Sequence, residues 1–224
     1  MNTQSGTEQV RILLVDDHPV VREGLRIAIS SRPEFHICGS VADTAEALKV
    51  LAAEKPDAMV LDLGLKDASG LDFIKELQTS HPGLPILVLS ALNESEYAER
   101  VIRAGAQGYI MKHEPIEKLI LAMITVAEGR VYLSEGIKAH ILERIVKHST
   151  SEPRSPVAEL TDRELQVFRE IVAGLNPRQI AEKLLLSTKT VEAHCANIKR
   201  KLKLEGSSSL LRAAIRWVDA QPPS

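Results

Sequence analysis

Asp16 and Asp17 are adjacent acids that close the apolar run Leu13-Leu14-Val15. Neighbouring like charges repel, and neither carboxylate belongs in a core, so the pair calls for a cation. Three other polar residues close apolar runs in the same way: Asp62 in "VLDLGL", Ser90 in "VLSA" and Lys112 after "GYIM". Ligands of an open α/β sheet bind beyond the carboxyl ends of its strands. If these runs are strands of one sheet, three carboxylates, a hydroxyl and an ammonium share a pocket. Hard oxygen ligands, few in number, suit octahedral Mg²⁺, which keeps several waters and shares phosphate oxygens. One carboxylate of such a site is a nucleophile toward phosphorus and yields an aspartyl phosphate. The metal, the lysine and the hydroxyl would carry the charge on the equatorial oxygens. A solvated strand end would explain each acid taken singly; the coincidence of all five residues favours the pocket. His18, next to the acids, reads as a polar loop residue.

The elements that must position these residues are legible from periodicity. β-rich apolar runs occur at "RILLV", "HICGSV", "DAMVLDL", "PILVLS" and "GYIM". Amphipathic stretches lie between them, such as Val20-Val21-Gly24-Leu25-Ala28-Ile29 and Leu71-Ile74-Leu77. Strands alternating with helices predict an α/β domain with a five-stranded parallel sheet, buried on both faces. A last helix near Pro115 carries Leu119, Ala122, Met123 and Val126, and Gly129 ends it. We place this domain at 9–128. Residues 129–158 form a linker with an amphipathic helix near 135–147 (Ile137, Ile141, Ile145), followed by the polar stretch "KHSTSEPRSPVAE". Residues 159–220 show four helical patterns with short breaks, an all-α domain.

Charge follows the same division. Residues 159–224 hold 11 Lys and Arg against 8 Asp and Glu, while the chain as a whole has a net charge of −2. An acidic front and a basic back predict different partners. The first ten residues, "MNTQSGTEQV", are polar, and no apolar run is long enough to span a bilayer. Cys38 and Cys195 have no metal-binding spacing and read as free thiols. A cytoplasmic protein without membrane contact is expected.

The set "VDD…LDL…LSA…GYIMK" resembles the receiver domain of two-component response regulators, a flavodoxin-like (βα)5 fold. The resemblance implies that Asp62 accepts a phosphoryl group from a sensor histidine kinase. It implies Mg²⁺ bound by Asp17, Asp16, Asp62 and the Gly64 carbonyl, with Lys112 on the phosphoryl group. Ser90 and Tyr109 become the switch pair, the ring turning inward as the hydroxyl moves. The loop after the acceptor reads "DLGLKDASG", with Lys66 where the family commonly has proline, while Gly70 is kept. Such a domain accepts a phosphoryl group, with autodephosphorylation as its only hydrolysis; it is not a turnover enzyme.

The second half carries its own signature. Thr161 with Glu164 has capping-box spacing, Gly174 fits a helix stop, and Asn176-Pro177 is a cap followed by a first-turn proline. "PRQIAEKL", a tight turn and a helix capped by Ser187 or Thr188 form a helix-turn-helix. Val191, Ile198 and Leu202 hold the longer helix to its core. This region resembles the LuxR-type DNA-binding domain ("LT-x-R-E…G…IA…TV-x-x-H…KL"), and the two halves together resemble NarL/FixJ-family response regulators. The resemblance implies that the helix at 188–203 enters the major groove of double-stranded DNA. Lys189, Thr190, Glu192, Ala193 and Ala196 would face it, with Lys199, Arg200 and Lys203 on phosphates. Relatives often carry Lys or Arg where this chain has Glu192, Cys195 and Ala196, so base readout by basic side chains is not expected there. Leu210, Leu211 and Ala214 of the last helix are the expected homodimer surface on activation or on DNA.

Two other function classes compete. A haloacid-dehalogenase-like phosphatase would need a second Asp two residues after Asp62, where Gly64 stands. An orphan regulator would bind DNA without phosphorylation, its receiver acting as a dimer module.

Overall fold

The computed structural model describes residues 9–65, 69–146, 156–204, 210 and 213. The chain divides into two compact units, Met1–His148 and Ser149–Ser224.

The first unit alternates strand and helix: β1 (Val10–Val15), α1 (Pro19–Ser30), β2 (Phe35–Val41), α2 (Thr44–Glu54), β3 (Ala58–Leu61), α3 (Gly70–Ser80), β4 (Ile86–Ser90), α4 (Glu94–Ala104), β5 (Gly108–Met111), α5 (Ile116–Ala127) and α6 (Glu135–Val146). The strands form one parallel sheet in the order β2-β1-β3-β4-β5. Successive side chains of a strand point to opposite faces. Ile12, Leu14, Val60, Leu87 and Leu89 meet Ile29 of α1 and Leu119, Met123 and Val126 of α5 on one face. Leu13, Val15, Met59, Leu61 and Val88 are buried on the other. Every residue of β3 and β4 is buried, which is why those runs are apolar without alternation.

Helix starts are fixed by side chains that take up free amides. Asp43 accepts from Glu46 N–H, Ser69 from Asp72 N–H and Asn93 from Ser95 N–H. Pro115 sits one residue before α5 and Gly129 (φ +75°) just after it. Gly70 starts α3 against the loop beyond β3: a Cβ there would lie 2.7 Å from the Leu63 Cα. The kept glycine thus serves a close backbone approach beside Asp62. Lys66 lies outside the described residues.

The second unit contains a short 3-10 helix (Pro156–Glu159), α7 (Asp162–Val172), α8 (Pro177–Lys183) and α9 (Thr188–Lys201). The expected fourth helix falls mostly outside the described residues. Both bonds of the Thr161–Glu164 capping box form, and α8 has a second box, Asn176 with Gln179. Ser187, not Thr188, caps α9, accepting from Thr190 N–H. Leu165, Val167 and Phe168 of α7, Ile180 of α8, and Val191 and Ile198 of α9 form the core.

Glu164 is buried and bonds to Lys201 Nζ at 2.7 Å, joining α7 to the end of α9. Burial works against its charge. The hydrogen bonds from Lys201 and the Thr161 backbone outweigh that and hold the carboxyl below the usual range. A carboxyl depressed in the folded state stabilises above its unfolded pKa, and that contribution is lost as pH falls through the folded value. Glu164→Gln should therefore cost the helical unit about 1.5–3 kcal/mol at neutral pH, the range for a hydrogen bond to a charged group. Denaturant melts of the full chain, repeated from pH 7 to below about 4, should show that difference shrinking with acidity.

Candidate functional site

The parallel ladder continues past the strand ends and draws the polar residues to one rim. Asp16 N–H donates to Val41 O at 3.1 Å, Asp62 N–H to Val15 O at 2.9 Å and Lys112 N–H to Ser90 O at 2.8 Å. Residues separated by up to 96 positions thereby become neighbours, each held by a main-chain bond rather than by its side chain.

Asp16 and Asp62 are almost fully buried, and Lys112 Nζ lies between them. It is 2.7 Å from Asp62 Oδ2 and 2.8 Å from Asp16 Oδ2. The Gly64 N–H donates to the other Asp62 oxygen, Oδ1, at 3.0 Å. Burial raises the Asp62 pKa more than the Lys112 and Gly64 bonds lower it, and the Asp16 charge adds to the rise. Lys112 shows the complementary behaviour. Burial pulls its pKa down, but the bonds to Asp16 and Asp62 hold it above the ordinary lysine value. The result is a charged ammonium facing a basic carboxylate.

His18 enters this group, contrary to its reading as a plain loop residue. Its N–H donates to Asp16 Oδ1 at 2.8 Å, and its Nδ1 lies 2.7 Å from Asp17 Oδ1 and 3.1 Å from Asp16 Oδ1. The available signal was its position two residues after Asp16, the spacing at which an Asp side chain caps a following amide. Arg22 of α1 also escaped the sequence reading. Its guanidinium donates to the Asp16 carbonyl and fixes the entry to α1. One ligand atom each from Asp16, Asp17, His18 and Asp62 lies within 4.8 Å of the others. Oxygen-rich, compact and negatively charged, the group fits a hard divalent cation.

Ser90 and Tyr109 converge on one residue, Leu92, rather than on each other. Ser90 Oγ accepts from Leu92 N–H at 3.1 Å, and the Tyr109 hydroxyl donates to Leu92 O at 2.6 Å. The Tyr109 ring is fully buried.

In the helical unit, α8 and α9 meet at a turn in which Leu185 has φ +53°. Arg163 of α7 donates to the Leu184 carbonyl at 2.9 Å and secures that turn. Lys189, Thr190, Glu192, Ala193, Ala196 and Arg200 are exposed, and Lys199 is half-buried. Thr190 Oγ1 lies 2.7 Å from Ser187 Oγ, so part of its bonding capacity goes to the cap. Lys203 is exposed but lies beyond the end of α9, at φ +52°. Leu210, one of the three residues expected at the dimer surface, is buried in this structure. Leu211 and Ala214 lie outside the described residues. Among the described residues, no helix is long and apolar enough to cross a membrane.

Residues 12–125 match the response regulator receiver domain, and residues 158–214 match the luxR family of bacterial regulatory proteins. The oxygen regulatory protein NreC of Staphylococcus haemolyticus is 35% identical over 211 residues, 92% of this chain and 97% of that protein. NreC of Staphylococcus aureus is 34% identical over the same shares. RcsB of Salmonella enterica serovar Typhimurium, solved on the promoter rprA with phosphomimetic BeF3-, superposes with a TM-score of 0.66. That pair shares 22% identity over 93% of this chain and 99% of the other, a likeness of fold. A LuxR-family response regulator of Aurantimonas sp. SI85-9A1 is 33% identical over 62% of this chain and 99% of its own, with a TM-score of 0.58. An acid-lined sheet rim followed by a capped helix-turn-helix, matched over both units by relatives of the same layout, places this chain in the NarL/FixJ family of two-component response regulators.

Proposed function

We propose that Asp62 accepts a phosphoryl group from a sensor histidine kinase, with Mg²⁺, and that this controls DNA binding by the second domain. The observation that carries the reading is the buried Asp62 carboxylate held between Lys112 Nζ and the Gly64 N–H. In the transfer, an Asp62 oxygen forms a bond to phosphorus as the P–N bond of phosphohistidine breaks, and the imidazole leaves with the electron pair. Lys112 stays beside the acceptor and binds the incoming phosphoryl oxygens. Asp16, Asp17, Asp62 and the Gly64 carbonyl are the residues that would hold Mg²⁺, which supplies charge neutralisation at those oxygens. The phosphoryl group adds roughly −1.5 to −2 charge units, the value for phosphorylated side chains. Ser90 lies one rim position away and responds through Leu92.

A protein donor has a place to dock. Val20 is 85% exposed on α1, and with Val21, Gly24 and Leu25 it borders a groove that includes Met111, Lys112 and Ile116. An apolar patch beside the acceptor suits a helical carrier of the phosphohistidine. The helical unit supplies the output: Lys189 and Arg200 are exposed for phosphates, whereas Lys201 is spent on Glu164. A homodimer on DNA would read a repeated half-site, and the cytoplasm is the compartment in which such a partnership operates.

One observation favours the second reading, DNA binding without phosphorylation. Tyr109 is already inside and bonded to Leu92. On that reading the receiver is set in its output state by sequence alone.

Acetyl phosphate with Mg²⁺ should give a retarded band on a Phos-tag gel for the wild type and none for Asp62→Ala. Lys112→Ala should slow the reaction about 100-fold, the loss typical of removing one donor to a developing oxyanion. A retarded band that persists in Asp62→Ala assigns the acceptor elsewhere. Genomic fragments captured by the wild type supply the DNA probe for two further measurements. Beryllofluoride should tighten binding at least about tenfold, a difference of roughly 1.4 kcal/mol; an unchanged affinity supports the second reading. Lys189→Ala should reduce the slope of log affinity against log salt by about 1 while weakening all sequences alike.

A further inference from the structure

Leu92, held through its N–H by Ser90 and through its carbonyl by Tyr109, is two residues from a contact that reaches α6. Leu92 is followed by Asn93, the cap of α4, and by Glu94 in its first turn. Glu94 takes Ser134 with both oxygens: Oε2 accepts the Ser134 hydroxyl at 2.8 Å and Oε1 accepts the Ser134 N–H at 3.3 Å. Ser134 in turn starts α6. Its Oγ accepts from Ile137 N–H at 3.2 Å, and its carbonyl accepts from Lys138 N–H at 3.0 Å. One carboxylate therefore sits in the first turn of α4 and against the serine that caps α6, where both helix dipoles favour negative charge.

The chain entering α6 is also pinned by main chain. Tyr109 N–H donates to Tyr132 O at 3.1 Å, and Tyr132 N–H donates to Gln107 O at 2.9 Å. This segment has a fixed register on β5. Ser134, two residues on, depends on a side chain of α4. A shift of the loop at Leu92 moves Glu94, while the β5 pairing holds Tyr132 still. The strain falls on Ser134 and on the first turn of α6.

We propose that the Glu94–Ser134 pair is a latch that passes the state of the Ser90–Tyr109 pair to α6, the helix that precedes the DNA-binding domain in the chain; this rests on reading Ser90 and Tyr109 as a switch. The geometry gives a continuous set of bonds from Tyr109 Oη through Leu92 and Glu94 to the α6 cap. Breaking it at either end separates the receiver rim from the output helix.

Amide hydrogen exchange on the full-length chain tests this without DNA or a kinase. Four proteins are compared: wild type, Tyr109→Phe, Ser134→Ala and the double variant, with Ser134→Thr as the hydroxyl-keeping control. Tyr109→Phe should speed exchange in 135–146 about three- to tenfold, the worth of one hydrogen bond. In the Ser134→Ala background it should add nothing there, while still loosening 93–97. Ser134→Thr should restore the response. Unchanged exchange in 135–146 for Tyr109→Phe overturns the latch. So does a response of equal size with and without Ser134. Beryllofluoride with Mg²⁺ is a separate arm. If it leaves 90–97 of the wild type unaltered, the coupling of phosphorylation to the Ser90–Tyr109 pair fails, and the double-variant comparison still decides the latch.

Discussion

Two buried carboxylates cannot face each other across the rim of a sheet without a positive charge between them. In this protein Lys112 supplies it, within 2.8 Å of both Asp16 and Asp62. Removing a partner from a buried charged group costs several kcal/mol, so the ammonium is a condition of the acidic arrangement. The lysine is placed by β5, the aspartates by β1 and β3, and each is tied to the neighbouring strand end by a main-chain bond. The order of strands, the burial of both sheet faces and the lengths of the crossovers all serve to keep these three ends level. The same lysine explains how the site stays chemically useful. It compensates the acids without neutralising them, and leaves Asp17 and His18 at the mouth of the group.

Much of this was legible in the sequence because the signals were dense. A continuous apolar run of four or five residues closed by Asp, Ser or Lys marks a buried parallel strand and its functional end together. Thr161, Glu164, Asn176 and Ser187 announce their helices because a cap is a local bond between residues two or three apart. What the sequence hid depends on distant partners. His18 comes to 3.7 Å from Asp62 only because β1 and β3 meet; Lys201 is a structural charge only because α7 brings Glu164 to it. In a run such as "KRKLK" nothing separates a lysine that faces solvent from one that closes the core.

The division of labour in the basic helix follows from the same point. α9 is held by Val191 and Ile198 from within and by Lys201 at its end, and its first turns are left exposed. Glu192, Ala193 and Ala196 on that exposed part carry no positive charge. On the proposed reading, attraction to DNA falls to residues at the two ends of the helix, Lys189 and Arg200, whose phosphate contacts would set orientation more than sequence choice.

The pairing of Tyr132 with β5 has a consequence for how the receiver survives as a separate piece. An outer strand with open amides invites another chain to add to it. Here the chain covers part of β5 itself, at a place where Gly108 permits the approach: a Cβ there would sit 3.2 Å from the Tyr132 carbonyl. The family match ends at residue 125, before this cover. A receiver cut at that boundary would lose its protective flap and gain a sticky margin. An isolated receiver would therefore need the seven residues 126–132 beyond the family match to keep this cover on β5.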